Sequence, residues 1–213
     1  NNRGKIFFFS GPSGVGKGTL INYLRENRTD FVSPPSCTTR NPRPGEVDGE
    51  TYTADHITIA TGGRPVIPDI PGAQHGINSD GFFALKEQPK KAVVVGAGYI
   101  GVELAGVLHS LGTETHLVVR KQAPLRHFDP IIHETLVDMI HAEGCTLHNH
   151  ASVEKVERGE GKHLSIHLTN GEVLEADCLI WAIGREPSTD VIAIENTDVE
   201  LSENGTVKVD KYQ

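Results

Sequence analysis

The sequence of 213 residues is most informative first for what it lacks. No apolar run approaches the ~20 residues that span a bilayer, so a transmembrane helix is excluded. The opening "NNRGKIFFFSG" has no signal-peptide anatomy, because "IFFF" runs straight into a glycine loop. A cytoplasmic setting is the expectation. Aromatic residues make up only 6%, with one Trp and one Met, in an otherwise ordinary globular composition. There are three cysteines, Cys37, Cys145 and Cys178, and no C-x-x-C pair. They read as small half-buried residues in a reducing compartment, and no metal site is expected. His148 and His150 share one face of a strand and could approach a metal, but a solvated strand end is the favoured reading.

Positive charge is scarce where it would matter for polyanions. Residues 1–52 carry seven Lys and Arg against five Asp and Glu; residues 53–213 carry thirteen against twenty-three. The acidic part argues against nucleic-acid and membrane surfaces, and the shift marks a boundary near residue 52. Small-molecule nucleotides are the expected partners.

What is present begins with "KIFFFS", a buried strand over Lys5–Ser10, and the loop "GPSGVGKG" from Gly11 to Gly18. "TLINYLREN" follows, with Leu20, Ile21 and Leu24 on one helical face. Strand, glycine loop and helix are the context of a phosphate-binding loop. Backbone N–H groups of Gly11, Ser13, Gly14, Val15 and Gly16 would surround phosphate oxygens, Lys17 adds a point charge, and the helix start adds its dipole. Gly18 stands where Ser or Thr usually offers a hydroxyl to Mg²⁺, with Thr19 next. Arg40 and Arg43 flank Pro42 in "SCTTRNPRPGEVDGETY" and could clamp a phosphate. Together these stretches resemble the N-terminal quarter of guanylate kinase. The resemblance implies that residues 11–19 take ATP with magnesium and that Ser36, Arg40, Arg43 and Tyr52 hold the phosphate of GMP.

The second pattern starts at "DHITIATGGRPVIPDIPG", a strand running into a proline-spaced crossover. "KKAVVVGAGYIGVELAGVLHSLG" then places Gly96, Gly98 and Gly101 as G-x-G-x-x-G between a buried strand and an apolar-faced helix, the dinucleotide fingerprint. The next strand ends at Arg120, with Lys121 beside it and Arg126 beyond, where an NAD-binding domain usually carries a carboxylate. Cations there favour a 2′-phosphate, hence NADPH. "DPIIHETLVDMIHAEG" reads as a capped helix, "TNGE" as a hairpin turn, "CLIWAIG" as a buried strand and "NGTVKVDKYQ" as a final short strand. Residues 52–213 resemble the NADPH-binding region of glutathione reductase. The resemblance implies that Gly96, Gly98, Tyr99, Ile100 and Gly101 line the cofactor, that Glu103 lies near the nicotinamide, that Arg120 and Arg126 hold the 2′-phosphate, and that Gly184 and Arg185 close over it.

The joint at Tyr52 cuts both patterns inside a domain, which points to an engineered chimera or a composite sequence. The expected fold is α/β: a doubly wound, mainly parallel sheet with an antiparallel meander, joined to a strand–loop–helix–strand fragment. Residues 1–52 form that fragment, 53–88 a remnant of a flavin-domain strand and crossover, and 89–213 the NADPH domain. Neither family's catalytic segments are complete, so FAD is not expected, no catalytic residue is assigned and no turnover is expected. The alternatives are glutathione-disulfide reductase or guanylate kinase activity, or a fusion that folds without binding. Apolar surface left by the absent flavin domain points to self-association.

Overall fold

The computed structural model describes residues 17–29, 56–161 and 163–211. The chain divides into two compact units, Asn1–Asp55 and His56–Gln213. In the first unit the described element is α1 (Lys17–Asn27), at the place the sequence predicts. Leu20 is exposed on it, and Ile21 and Leu24 are half-buried. The strand expected over Lys5–Ser10 lies outside the described residues.

The second unit is built on four parallel strands. Along the chain come β1 (Gly63–Pro65), a 3-10 turn (Ala73–His75), α2 (Ser79–Phe83), β2 (Lys91–Val95) and α3 (Tyr99–Ser110). Next are β3 (Glu114–Val118), α4 (Pro130–Glu143), β4 (Thr146–His148), β5 (Val153–Arg158), β6 (Leu164–Leu168), β7 (Val173–Ala176), β8 (Cys178–Trp181) and β9 (Arg185–Pro187). The parallel sheet has the order β4-β3-β2-β8, β5-β6-β7 form an antiparallel meander, and β1 pairs with β9.

Side-chain alternation explains the layering. Along a strand, successive residues face opposite sides. On one side Ala92, Val94, Leu117 and Ile180 pack on Leu104, Ala105 and Leu108 of α3 and Ile140 of α4. On the other, Val93, Val95, Val118, Leu179 and Trp181 pack on Val156, Leu164, Ile166, Leu168 and Leu174 of the meander. The expectation of a doubly wound sheet is therefore corrected. Helices cover one face, and the meander occupies the other, where a second helical layer would sit.

Local chemistry sets the element ends. Asp129 caps α4 by accepting from Ile131 N at 3.0 Å, Pro130 opens the helix, and Gly144 ends it at φ 92°. Asn78 caps α2 by accepting from Gly81 N at 3.0 Å. The β6–β7 hairpin turns through Asn170-Gly171, with Gly171 at φ 87°.

Two expected strands differ. Residues 57–62 are irregular and Ile57 is 80% exposed. Among the described residues no strand lies beside them, and an apolar run without a hydrogen-bonding neighbour does not become a strand. The short pairing falls instead on Gly63–Pro65. The C-terminal strand is reduced to a single bridge between Leu201 and Val207. Among the described residues no helix is long and apolar enough to cross a membrane.

Candidate cofactor site

A cavity of about 650 Å³ opens at the C-terminal ends of β2, β3 and β8. This is the end at which open α/β sheets bind ligands. Its floor is the turn from β2 into α3. Gly96 sits at φ 150°, and a Cβ there would lie 2.1 Å from the Ala182 carbonyl oxygen. A Cβ on Gly101 would lie 2.6 Å from the Gly96 carbonyl oxygen. Those two glycines serve the packing of turn, helix and neighbouring strand. Gly98 differs, because a Cβ there would meet nothing within 4 Å. It caps α3 without a side chain and lines the cavity, leaving open space beside the backbone where a pyrophosphate would approach.

The opposite wall is the loop after β3. Leu125 N donates to the Ala97 carbonyl at 2.8 Å, which draws this loop onto the glycine turn. Leu125 holds a left-handed φ of 51°, an uncommon conformation for a branched residue, and Pro124 behind it is fully buried. Arg120, Lys121 and Arg126 line the cavity from this loop. None of the three has a carboxylate partner among the described residues. Unpaired cations around a concave surface favour an anionic ligand with several charges.

The third side comes from the end of β8. Gly184, at φ 140°, accepts from Val66 N at 3.0 Å, and the Arg185 guanidinium donates to the Gly63 carbonyl. Both residues line the cavity and are held by the β1–β9 pair.

Of the residues named from sequence for the cofactor, Gly98, Tyr99, Ile100, Arg120, Arg126, Gly184 and Arg185 meet at the cavity. Gly96 and Gly101 shape it from behind. Glu103, exposed on α3, is outside its lining. Sequence reasoning missed Ser79, Leu125, His127, Phe128 and Trp181 as lining residues. They come from three separate segments, and no local pattern announces that these converge. In the first unit Lys17, Gly18 and Thr19 open α1. Gly11, Ser13, Gly14, Val15, Gly16, Ser36, Arg40, Arg43 and Tyr52 lie outside the described residues.

A parallel sheet with a glycine turn, a helix start and a basic loop at its C-terminal end defines a dinucleotide-binding α/β domain. The family model for the pyridine nucleotide-disulphide oxidoreductases matches residues 13–213. The chain belongs to that family. It is 45% identical over 166 residues to a glutathione reductase of Schizosaccharomyces pombe, covering 77% of this chain and 36% of that protein. Among solved structures it resembles the HOCl-induced flavoprotein disulfide reductase RclA of Escherichia coli (TM-score 0.66, 29% identity, 71% of this chain, 35% of that one). It also resembles an engineered water-forming NADPH oxidase bound to NADPH, a mutant of the Lactobacillus brevis enzyme (TM-score 0.63, 25% identity, 71% of this chain, 34% of that one). The chain thus spans about a third of the length of these relatives.

Two expectations change accordingly. The family match crosses the joint at Tyr52, and it supports the reductase half of the sequence reading and not the kinase half. The exclusion of FAD is withdrawn. It rested on segments in the part of the relatives that this chain does not span, and one of those relatives is a flavoprotein by name.

Proposed function

We propose that residues 56–213 form the NADPH-binding part of a flavin-dependent glutathione-disulfide reductase. The observation that carries this reading is the cavity wall formed by Arg120, Lys121 and Arg126, which face the glycine turn and have no carboxylate partner among the described residues. NADPH supplies a hydride when bound. The chain's own residues would hold it: the Gly98 backbone and the α3 start on the pyrophosphate, the three cations on the 2′-phosphate, and Gly184 and Arg185 at the far side. The engineered NADPH oxidase supports the choice of phosphate-bearing cofactor. Its substitutions remove an aspartate and introduce two arginines six positions apart. Arg120 and Arg126 have the same separation. The disulfide substrate is inferred from the curated relative's name alone.

Titration with NADPH and NADH tests this. Native chain is expected to prefer NADPH, and an Arg120→Ala, Arg126→Ala double variant to lose that preference by a factor of ten or more, since each charge-assisted contact contributes about 1.5–3 kcal/mol. Equal affinity for the two cofactors in the native chain would end the proposal. A second reading concerns the first unit, where the guanylate-kinase-like loop would bind ATP with Mg²⁺. Its support is the loop sequence over residues 11–18 with the start of α1 at Lys17. A Lys17→Ala variant that binds ATP as well as the native chain does would count against it.

A further inference from the structure

Four side chains form an unbroken hydrogen-bonded row across the meander-side edge of the parallel sheet. Glu114 Oε1 lies 3.2 Å from His116 Nε2, His116 Nδ1 lies 2.9 Å from His148 Nε2, and His148 Nδ1 lies 2.9 Å from Glu172 Oε2. The ring planes lie within 27° of each other with centroids 5.2 Å apart, so the two facing nitrogens meet edge to edge. Glu114 is on β3, His148 on β4, and Glu172 in the β6–β7 turn. Lys91 on β2 reaches Glu114 at 2.7 Å. Among the described residues these are the charged groups that face the two rings.

The number of protons in the row follows from donor chemistry. Lys91 first, then His116, holds the Glu114 carboxyl below its usual range. His148 first, then Asn170, does the same for Glu172. An ionised carboxylate only accepts, so His116 Nε2 and His148 Nδ1 each carry a proton. The facing nitrogens then need one proton between them. With none, two lone pairs oppose at 2.9 Å; with two, two N–H groups oppose. Three ring protons are one more than two neutral imidazoles hold, so the pair carries a single positive charge. Burial of His116, joined by Lys91 and His148 and opposed by Glu114, pushes its pKa below the ordinary histidine value, so the hydrogen-bond geometry of the row holds the extra proton against the cost of burial.

The row adjoins the cofactor cavity through the backbone. The His148 carbonyl accepts from Val119 N at 2.9 Å, and His150 N donates to the Lys121 carbonyl at 3.1 Å. The segment carrying Arg120 is therefore bonded to the strand whose histidine closes the row. We propose that His116 and His148 share one proton, and that this proton positions the Arg120 segment by locking β3 to β4. Its meaning for cofactor binding rests on the NADPH reading above.

The test is ¹⁵N nuclear magnetic resonance of the full chain between about pH 5 and pH 8, where histidine titrates. The ring nitrogens of His116 and His148 are expected to show three protons in total at the acid end of that range, with the Val119 amide signal moving as the pair loses one on raising the pH. His116→Gln should abolish that movement. Glu172→Gln, at an exposed turn that leaves the sheet intact, should shift the pH at which it occurs. Two neutral rings with one proton each across the range, or a Val119 amide indifferent to the pair's titration, would overturn the proposal. NADPH affinity measured alongside should depend on pH several-fold more in the native chain than in His116→Gln, the 2′-phosphate titrating in both. A chain that binds no NADPH yet keeps the shared proton and the Val119 response would sink the cofactor reading and leave this one standing.

Discussion

The two faces of the parallel sheet are closed by different means. On the helical face, Leu104, Ala105 and Leu108 come from α3, the element directly after β2. A helix satisfies its own backbone and needs from the sheet only an apolar stripe. On the meander face, β5, β6 and β7 bring backbone groups that must pair with one another, and their register decides which side chains face inward. Polar anchors appear on that side. Trp181 Nε1 donates to the buried Ala73 carbonyl at 2.9 Å, and the histidine row runs along the edge. The helical face needs shape; the meander face needs shape and alignment.

The strongest way to break this comparison is at the shared turn. Gly96→Ala would combine a forbidding φ of 150° with a Cβ 2.1 Å from Ala182 O. A loss of at least about 3 kcal/mol is expected in urea denaturation, and it should disturb both faces together. Leu108→Ala and Ile166→Ala probe the faces singly. Each buried side chain should cost about 3 kcal/mol. Hydrogen exchange is expected to localise the loosening to α3 in the first variant and to β5–β7 in the second; exchange rising equally over both layers would show one cooperative core. Trp181→Phe keeps most of the packing and leaves the Ala73 carbonyl without its donor, a loss of about 1–2 kcal/mol. Increased exchange confined to residues 70–77 would sharpen the role of the anchor.

The smallest effect concerns a thiol on the helical face. Burial first, then Asp177, pushes Cys178 up to about 11. The folded state holds this proton more tightly than the unfolded chain does. The associated stability is full below the unfolded thiol's pKa and declines as pH rises above about 8.5. Iodoacetamide labelling at pH 8 should be about 100-fold slower at Cys178 than at an ordinary thiol. Prompt labelling of Cys178 would place the helical layer as mobile. Cys145, raised less and half-buried, is the internal reference.

The sequence makes β2, its glycine turn and α3 readable because period 2 gives way to period 3.6 across a spaced glycine motif. It makes α4 readable because Asp129, Pro130 and Gly144 mark its ends. The basic loop was legible as charge, and its position was not, since the Leu125 to Ala97 bond joins segments far apart in sequence. The meander's strands were visible while its seat on the sheet was not, because covering a face is a tertiary choice that alternation leaves open. "HITIATG" has strand composition without a neighbour to bond. His116 gave no signal at all: a single histidine in "ETHLVV" looks like any polar break in a strand, and its meaning appears only with His148 and Glu172 beside it.

The pairing of β1 with β9 has a consequence for how this body can travel. Arg64 fastens the arriving strand to the departing one, with Nε at 2.7 Å from Glu186 and both terminal nitrogens on Asp190 at 2.7 and 2.8 Å. Everything from 66 to 184 is thereby strung between two adjacent, clasped threads. A body so held has the anatomy of an insert. Entry and exit lie side by side at one place, so the segment between them begins and ends at a single spot while its own parallel sheet is complete within it.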